Sequence, residues 1–88
     1  MYSVKIAKTA QRDLDRIAGD DLERLEKRIK KLGENPRPSG VKKLKHILHR
    51  IRVGDWRVLF AIEDADKRVT ILRVLRRNEA TYRGIGSA

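Results

Sequence analysis

The sequence predicts an α+β fold in the order β-α-α-β-β-β: an antiparallel sheet with an N-terminal helical hairpin packed on one face. Three observations predict it. Apolar residues recur at helical spacing from residue 10 to residue 32, and from residue 48 the period becomes two. Between the two regimes lies "GENPRPSG", residues 33–40, whose prolines and glycines stop a helix and carry the chain across the molecule. A run of helices followed by a run of strands favours a two-layer α+β arrangement.

The elements follow in order. "YSVKI", residues 2–6, alternates and forms a short strand with Val4 and Ile6 on one face. Thr9 is a plausible N-cap for a helix whose Ala10, Leu14, Ile17 and Ala18 share a stripe. Gly19 ends that helix, and Asp20 or Asp21 caps the next, where Leu22, Leu25, Ile29 and Leu32 recur. "VKKLK", from Val41, reads as a loop or half-turn anchored by Val41 and Leu44. Strands 48–53 and 56–63 join through Gly54-Asp55, with glycine in the first loop position as a type II′ turn prefers. A turn at residues 64–66 leads into "RVTILRVL", residues 68–75, apolar enough for mid-sheet. The remaining tail adds a half-turn near Asn78–Tyr82, and residues 84–88 read as a loose end of a single domain spanning 1–88.

Composition narrows the functions. The chain has no cysteine, which excludes disulfides and thiolate zinc sites. Its two histidines, His46 and His49, are too few for a closed metal site without carboxylates. No apolar run approaches the ~18 residues needed to span a bilayer, and Met1 is followed by mixed polar sequence. A soluble cytoplasmic protein without membrane contact is expected. Lys and Arg number 22 against 12 Asp and Glu, a net charge of +10. Residues 1–40 hold ten basic and seven acidic side chains, whereas residues 41–88 hold twelve and five. That basic second half points to a polyanionic partner.

Strand parity sorts the charges. Ile51, Val53, Val58, Phe60 and Ile62 fall on the side facing the helices, together with Trp56 and His49. Arg50, Arg52 and Arg57 fall on the other side, on neighbouring strands, with only Asp55 as an acid nearby. Lys42, Lys43 and Lys45 precede them, and Arg73, Arg76, Arg77 and Arg83 follow. Arginine matches phosphate oxygens in a bidentate fork. Tyr82 brings an aromatic ring on which a single-stranded base can stack. The bland reading of the same pattern is a solvated charged face, a Tyr82 that packs at the rim and a structural His49.

The run "VKKLKHILHRIRVGDWRVLF", residues 41–60, resembles the signature of RelE-type toxins of the RelE/ParE superfamily. "ILRVLRRNEATYR" resembles the terminal strand of the same family, with arginine followed by tyrosine, and the likeness extends over residues 2–83. The resemblance implies the toxin of a type II toxin–antitoxin pair: a ribosome-dependent endoribonuclease that cleaves A-site mRNA by metal-independent 2′-OH transesterification. It implies no cofactor. It places the family's catalytic residues on Arg50, Arg52, Arg57, Arg76 or Arg77, and Tyr82, with Lys42, Lys43, Lys45, Arg73 and Arg83 contacting RNA and ribosome. Arginine hardly loses its proton near neutral pH, so His46 and His49 stand as candidate general bases beside Lys43 and Lys45. The implied partners are an acidic RelB-like antitoxin, the ribosome and mRNA, with operator DNA reached only through the antitoxin complex. The alternative is a ParE-like toxin that inhibits DNA gyrase without enzymatic activity. A plain nucleic-acid-binding module is disfavoured, because the helix stripes are consumed by the core.

Overall fold

Seven elements build the computed structural model, which describes residues 1–76. They are β1 (Ser3–Ile6), α1 (Lys8–Asp15), α2 (Gly19–Leu32), β2 (Lys42–Lys45), β3 (Leu48–Val53), β4 (Trp56–Glu63) and β5 (Arg68–Arg76). The expected half-turn at 78–82 and tail at 84–88 lie outside the described residues. The strands form one five-stranded sheet in the order β1-β5-β4-β3-β2. The fold is α+β as expected, with two corrections to the sheet. "KKLK" is a strand rather than a loop, pairing antiparallel with β3 through Lys42–Arg50 and Lys43–His49. Its single apolar residue, Leu44, sits at a register shift between Lys43 and Lys45, which erases the alternation that would have advertised it. And β1 runs parallel to β5, so the sheet is mixed.

α2 keeps its predicted stripe and α1 keeps only Ala10 and Leu14 of its own, and both helices begin and end differently. Ala7 is the N-cap of α1 and makes no side-chain cap bond, while Thr9 lies inside the first turn. Thr9 Oγ1 donates instead to Leu72 O at 2.8 Å. The helix ends at Asp15, so Ile17 reaches the core from the connection and Ala18 stays exposed. Gly19 opens α2 rather than closing α1; its φ of +66° supplies the left-handed step that reverses the chain. Asp20 and Asp21 occupy the first turn of α2, where they complement the helix dipole without capping. At the β3–β4 turn Gly54 has φ +61° while Asp55 is not among the residues with positive φ, as a type II′ turn requires.

The core lies between the helices and one face of the sheet. Ile51, Val53, Val58, Phe60 and Ile62 are buried there as predicted, under Ala10, Leu14, Leu25, Ile29 and Leu32. Val4 packs at the margin, and Ile6 remains 42% exposed at the end of its short strand. Trp56 also packs against this core from the hairpin end.

One irregularity re-phases the last strand. Val69 and Ile71 oppose Ile62 and Phe60 on the core side. The register then shifts, so that Arg73 opposes Leu59 and Leu72 has no opposite number. Beyond this bulge Val74 returns to the core opposite Val58, and Leu75 falls opposite Arg57 on the outer face. The outer face is therefore not simply a solvated one. Leu59, Ala61 and Leu75 are buried on it, apart from the main core cluster.

Candidate RNA-binding face

Strand pairing assembles the cations on the outer face. Residues directly opposite on neighbouring strands project to the same side of a sheet, roughly 4.5–5.5 Å apart at Cα. Arg52 opposes Arg57, and Lys42 opposes Arg50, which in turn opposes Leu59. Lys45 opposes Leu48, so it shares this face as well. Lys42, Lys45, Arg50, Arg52 and Arg57 thus converge around the buried Leu59 and Leu75.

Among the described residues no ion pair engages Lys42, Lys45, Arg50 or Arg52. The acid of β4 on that face, Glu63, lies six positions beyond Arg57, roughly 20 Å along the strand. It is held by Arg68 at 3.3 Å. Glu63 is also the chief cause raising the Arg68 pKa above its usual value. Lys42, Lys45, Arg50 and Arg52 therefore present positive charge that no ion pair among the described residues neutralises.

The other predicted site residues divide. Arg73 extends from the outer-face position opposite Leu59, but its guanidinium grips Asp13 of α1, Nε to Oδ2 at 2.8 Å and Nη2 to Oδ1 at 3.2 Å. Arg76 opposes Trp56 and lays its guanidinium over the indole, 5.1 Å from the ring centroid. That is the helical side of the sheet, away from Arg50, Arg52 and Arg57. Arg77, Tyr82 and Arg83 lie outside the described residues.

The histidines and Lys43 stand elsewhere too. Lys43 opposes His49 on the core side of β2. His49 is 5% exposed, stacks on Phe60 with centroids 5.8 Å apart, and its Nδ1 lies 2.7 Å from Ile47 O. An Nδ1–H donated to that carbonyl satisfies the buried ring, and the ring faces away from the arginines. His46 occupies the β2–β3 turn with φ +49°, four residues from Arg50 and so roughly 13 Å along the strand direction. Both histidines line a cleft with Arg37, Lys43 and Asp64 at the opposite end of the sheet from the Gly54-Asp55 turn.

That cleft contains a pairing the sequence did not announce. Arg37 forks onto Asp64, Nη1 to Oδ1 at 3.1 Å and Nη2 to Oδ2 at 3.0 Å, while Tyr2 OH donates to Oδ1 at 2.6 Å. The Arg37 hydrogen bonds, then that of Tyr2, hold the Asp64 carboxyl below its usual range. Asp64 in turn pushes the Tyr2 phenol upward. Asp13 was missed for the same reason: its partner Arg73 is sixty residues distant. Among the described residues no group of three or more His, Asp or Glu side chains is placed to hold a metal ion, and no helix is long and apolar enough to cross a membrane.

Chemically, the outer-face cluster suits a phosphodiester. Planar guanidiniums bind non-bridging oxygens in pairs and retain their charge throughout a reaction. A cluster fixed before the substrate arrives can stabilise charge that builds up on phosphorus oxygens without reorganising.

Comparison with known proteins finds relatives over nearly the whole chain. Residues 4–81 match the family model described as ParE toxin of type II toxin-antitoxin system, parDE. The chain is 40% identical over 89 residues to Toxin RelE of Mycobacterium tuberculosis, covering 93% of this chain and 87% of that protein. It is 30% identical over 87 residues to Putative toxin RelE1 of Methanocaldococcus jannaschii, covering 93% and 96% respectively. Among solved structures, the archaeal RelE–RelB complex from Pyrococcus horikoshii superposes with a TM-score of 0.81 at 30% identity, over 90% of this chain and 98% of that one.

Proposed function

Since the chain belongs to the RelE/ParE superfamily of type II toxin–antitoxin toxins and is of RelE type, we propose that it is a ribosome-dependent mRNA endoribonuclease acting in the cytoplasm. The observation that carries the proposal is the outer-face cluster of Arg50, Arg52 and Arg57 with Lys42 and Lys45. A protein that keeps so much like charge on adjacent strands accepts a stability cost in the free state. A phosphate backbone repays that cost on binding.

The reaction is a transesterification needing no cofactor. The ribose 2′-oxygen attacks the adjacent phosphorus and the bond to the 5′-oxygen breaks. The 2′-OH proton passes to solvent water, and the leaving 5′-oxygen takes a proton from solvent water. The products are a 2′,3′-cyclic phosphate and a 5′-OH. Arg50, Arg52 and Arg57 hold the non-bridging oxygens and offset the charge that develops on them. Lys42 and Lys45 guide the flanking phosphates. Arg77 supplies the terminal cation in preference to Arg76, which is committed to Trp56. Tyr82 stacks on the substrate base and helps to bring the 2′-oxygen in line. In this reading proton transfer falls to neither His49, on the core side of β3, nor His46, in the β2–β3 turn. Catalysis is chiefly electrostatic.

Its antitoxin partner is an acidic RelB-like chain that covers the basic face; the Pyrococcus horikoshii RelE, 30% identical, is solved as a complex with RelB. Operator DNA is bound only through that complex. The matched family model carries the ParE description, so the second reading is a gyrase inhibitor. One pair of assays separates them. Primer extension on ribosome-bound mRNA should show cuts with cyclic phosphate ends, and supercoiling by gyrase should be unaffected. Intact mRNA together with inhibited supercoiling would establish the ParE-like reading instead.

A further inference from the structure

β1 ends at Ile6, paired with Ile71, and beyond that point no described strand lies against the outer edge of β5. Helix α1 takes its place. The Ala7 N–H donates to Ile71 O at 2.9 Å, and Thr9 Oγ1 donates to Leu72 O at 2.8 Å. Asp13 Oδ2 accepts from the Val74 N–H at 2.9 Å while the same carboxylate holds Arg73. Thr9 and Asp13 are four residues apart and therefore neighbours on one helix face. Between them they engage the backbone on both sides of Arg73, at the very bulge where Leu72 has no opposite number.

The bulge decides which way every later residue of β5 points. With it, Val74 enters the core, Leu75 stands beside Arg57, and Arg76 lies over Trp56. Without it the alternation would turn Arg73 toward the helices and Val74 outward, and each following residue would change face. We propose that Thr9 and Asp13 are positioning residues: by clamping the Leu72–Val74 bulge they hold Leu75 beside Arg57 and Arg76 over Trp56, and so set the arginine face that meets RNA. This rests on the endoribonuclease reading for its consequence, and on the backbone geometry for its cause.

The test uses Asp13→Ala, Asp13→Asn and Thr9→Val in the full chain, with two independent readouts. Trp56 is the only tryptophan, so its emission reports whether Arg76 still covers the indole. Steady-state cleavage of ribosome-bound mRNA reports kcat and KM separately. Folded Asp13→Ala should show altered Trp56 emission and a kcat reduced roughly 10²-fold with KM unchanged, because misplacement by about 1 Å has that effect. Asp13→Asn, which keeps an acceptor for the Val74 N–H, should lose less, and Thr9→Val should fall in the same direction. Wild-type kcat in folded Asp13→Ala and Thr9→Val would overturn the proposal. So would a loss of activity that only follows the unfolded fraction while Trp56 emission stays native. If the unmutated protein does not cleave mRNA, the functional reading fails on its own. The Trp56 signal then decides the clamp, altered emission upholding it and native emission overturning it.

Discussion

Arg52 and Arg57 stand directly opposite each other across the β3–β4 hairpin, two like charges in the position where a sheet normally pairs opposites. Directly opposed like charges destabilise a sheet. Arg52→Ala should therefore melt at the same temperature as the unmutated protein or slightly above it. Added salt should raise the melting temperature of the unmutated protein more than that of the variant, since screening removes the same repulsion. Cleavage by Arg52→Ala and Arg57→Ala should nonetheless fall about 10²-fold or more, in line with the loss of a positioned charge stabiliser. Thermal melts beside primer extension check both halves; a destabilised Arg52→Ala with normal cleavage would contradict both.

The two adjacent arginines of the terminal segment should behave differently. Arg76 rests on Trp56, so Arg76→Ala should reduce stability by about 0.5–1 kcal/mol and leave growth arrest intact. Arg77→Ala should leave stability unchanged and abolish growth arrest. Induction of each variant without antitoxin, with melting measured on the purified protein, distinguishes the two. Full toxicity of Arg77→Ala would move the terminal cation elsewhere.

What was legible in the sequence was whatever alternates without interruption. Ile51, Val53, Val58 and Phe60 sit on the core side, and Arg50, Arg52 and Arg57 on the other, because β3 and β4 pair in simple register through a two-residue turn. The helix stripes were legible for the same reason. β2 was not, since "KKLK" offers one apolar residue and places it at an irregularity. The phase of β5 was hidden as well. In "RVTILRVL" both faces are apolar enough that an extra residue leaves no trace in the pattern. The parallel pairing of β1 with β5, the Asp13–Arg73 grip and the Arg37–Asp64–Tyr2 cluster join residues distant in the chain. No local periodicity encodes such contacts.

The Arg37–Asp64–Tyr2 cluster gives stability a defined pH window. Asp64 is held below its ordinary 3.8 in the folded protein, so its contribution is present above that value and disappears as pH falls through the folded pKa. Tyr2 is raised above its ordinary 10.0, so its contribution is present below that value and disappears as pH rises through the folded pKa. Asp64→Asn should therefore melt below the unmutated protein across the middle of the range, and the two curves should approach each other at both extremes. Melting temperatures of the pair from about pH 3 to pH 11 check this. A gap that is constant across that range would mean the cluster does not couple to folding.

His49 should prove to be a core residue in function as well as in place. Its ring is stacked on Phe60 and its Nδ1 is matched to the Ile47 carbonyl, on the face opposite the arginines. Removing the ring opens a cavity and leaves that carbonyl without its donor, so His49→Ala should lose about 2–4 kcal/mol of stability. Cleavage should then decline only as the folded fraction declines, and the pH–rate profile of the folded protein should keep its shape. A general base would behave differently: its removal costs roughly 10²- to 10⁴-fold in rate and flattens the limb of the profile that it governs. His46→Ala, at the exposed turn, should change neither stability nor rate appreciably. Urea unfolding of both variants, beside single-turnover cleavage across pH on saturating ribosomes, separates these cases. A well-folded His49 variant that is catalytically dead would return proton transfer to histidine and displace the electrostatic account.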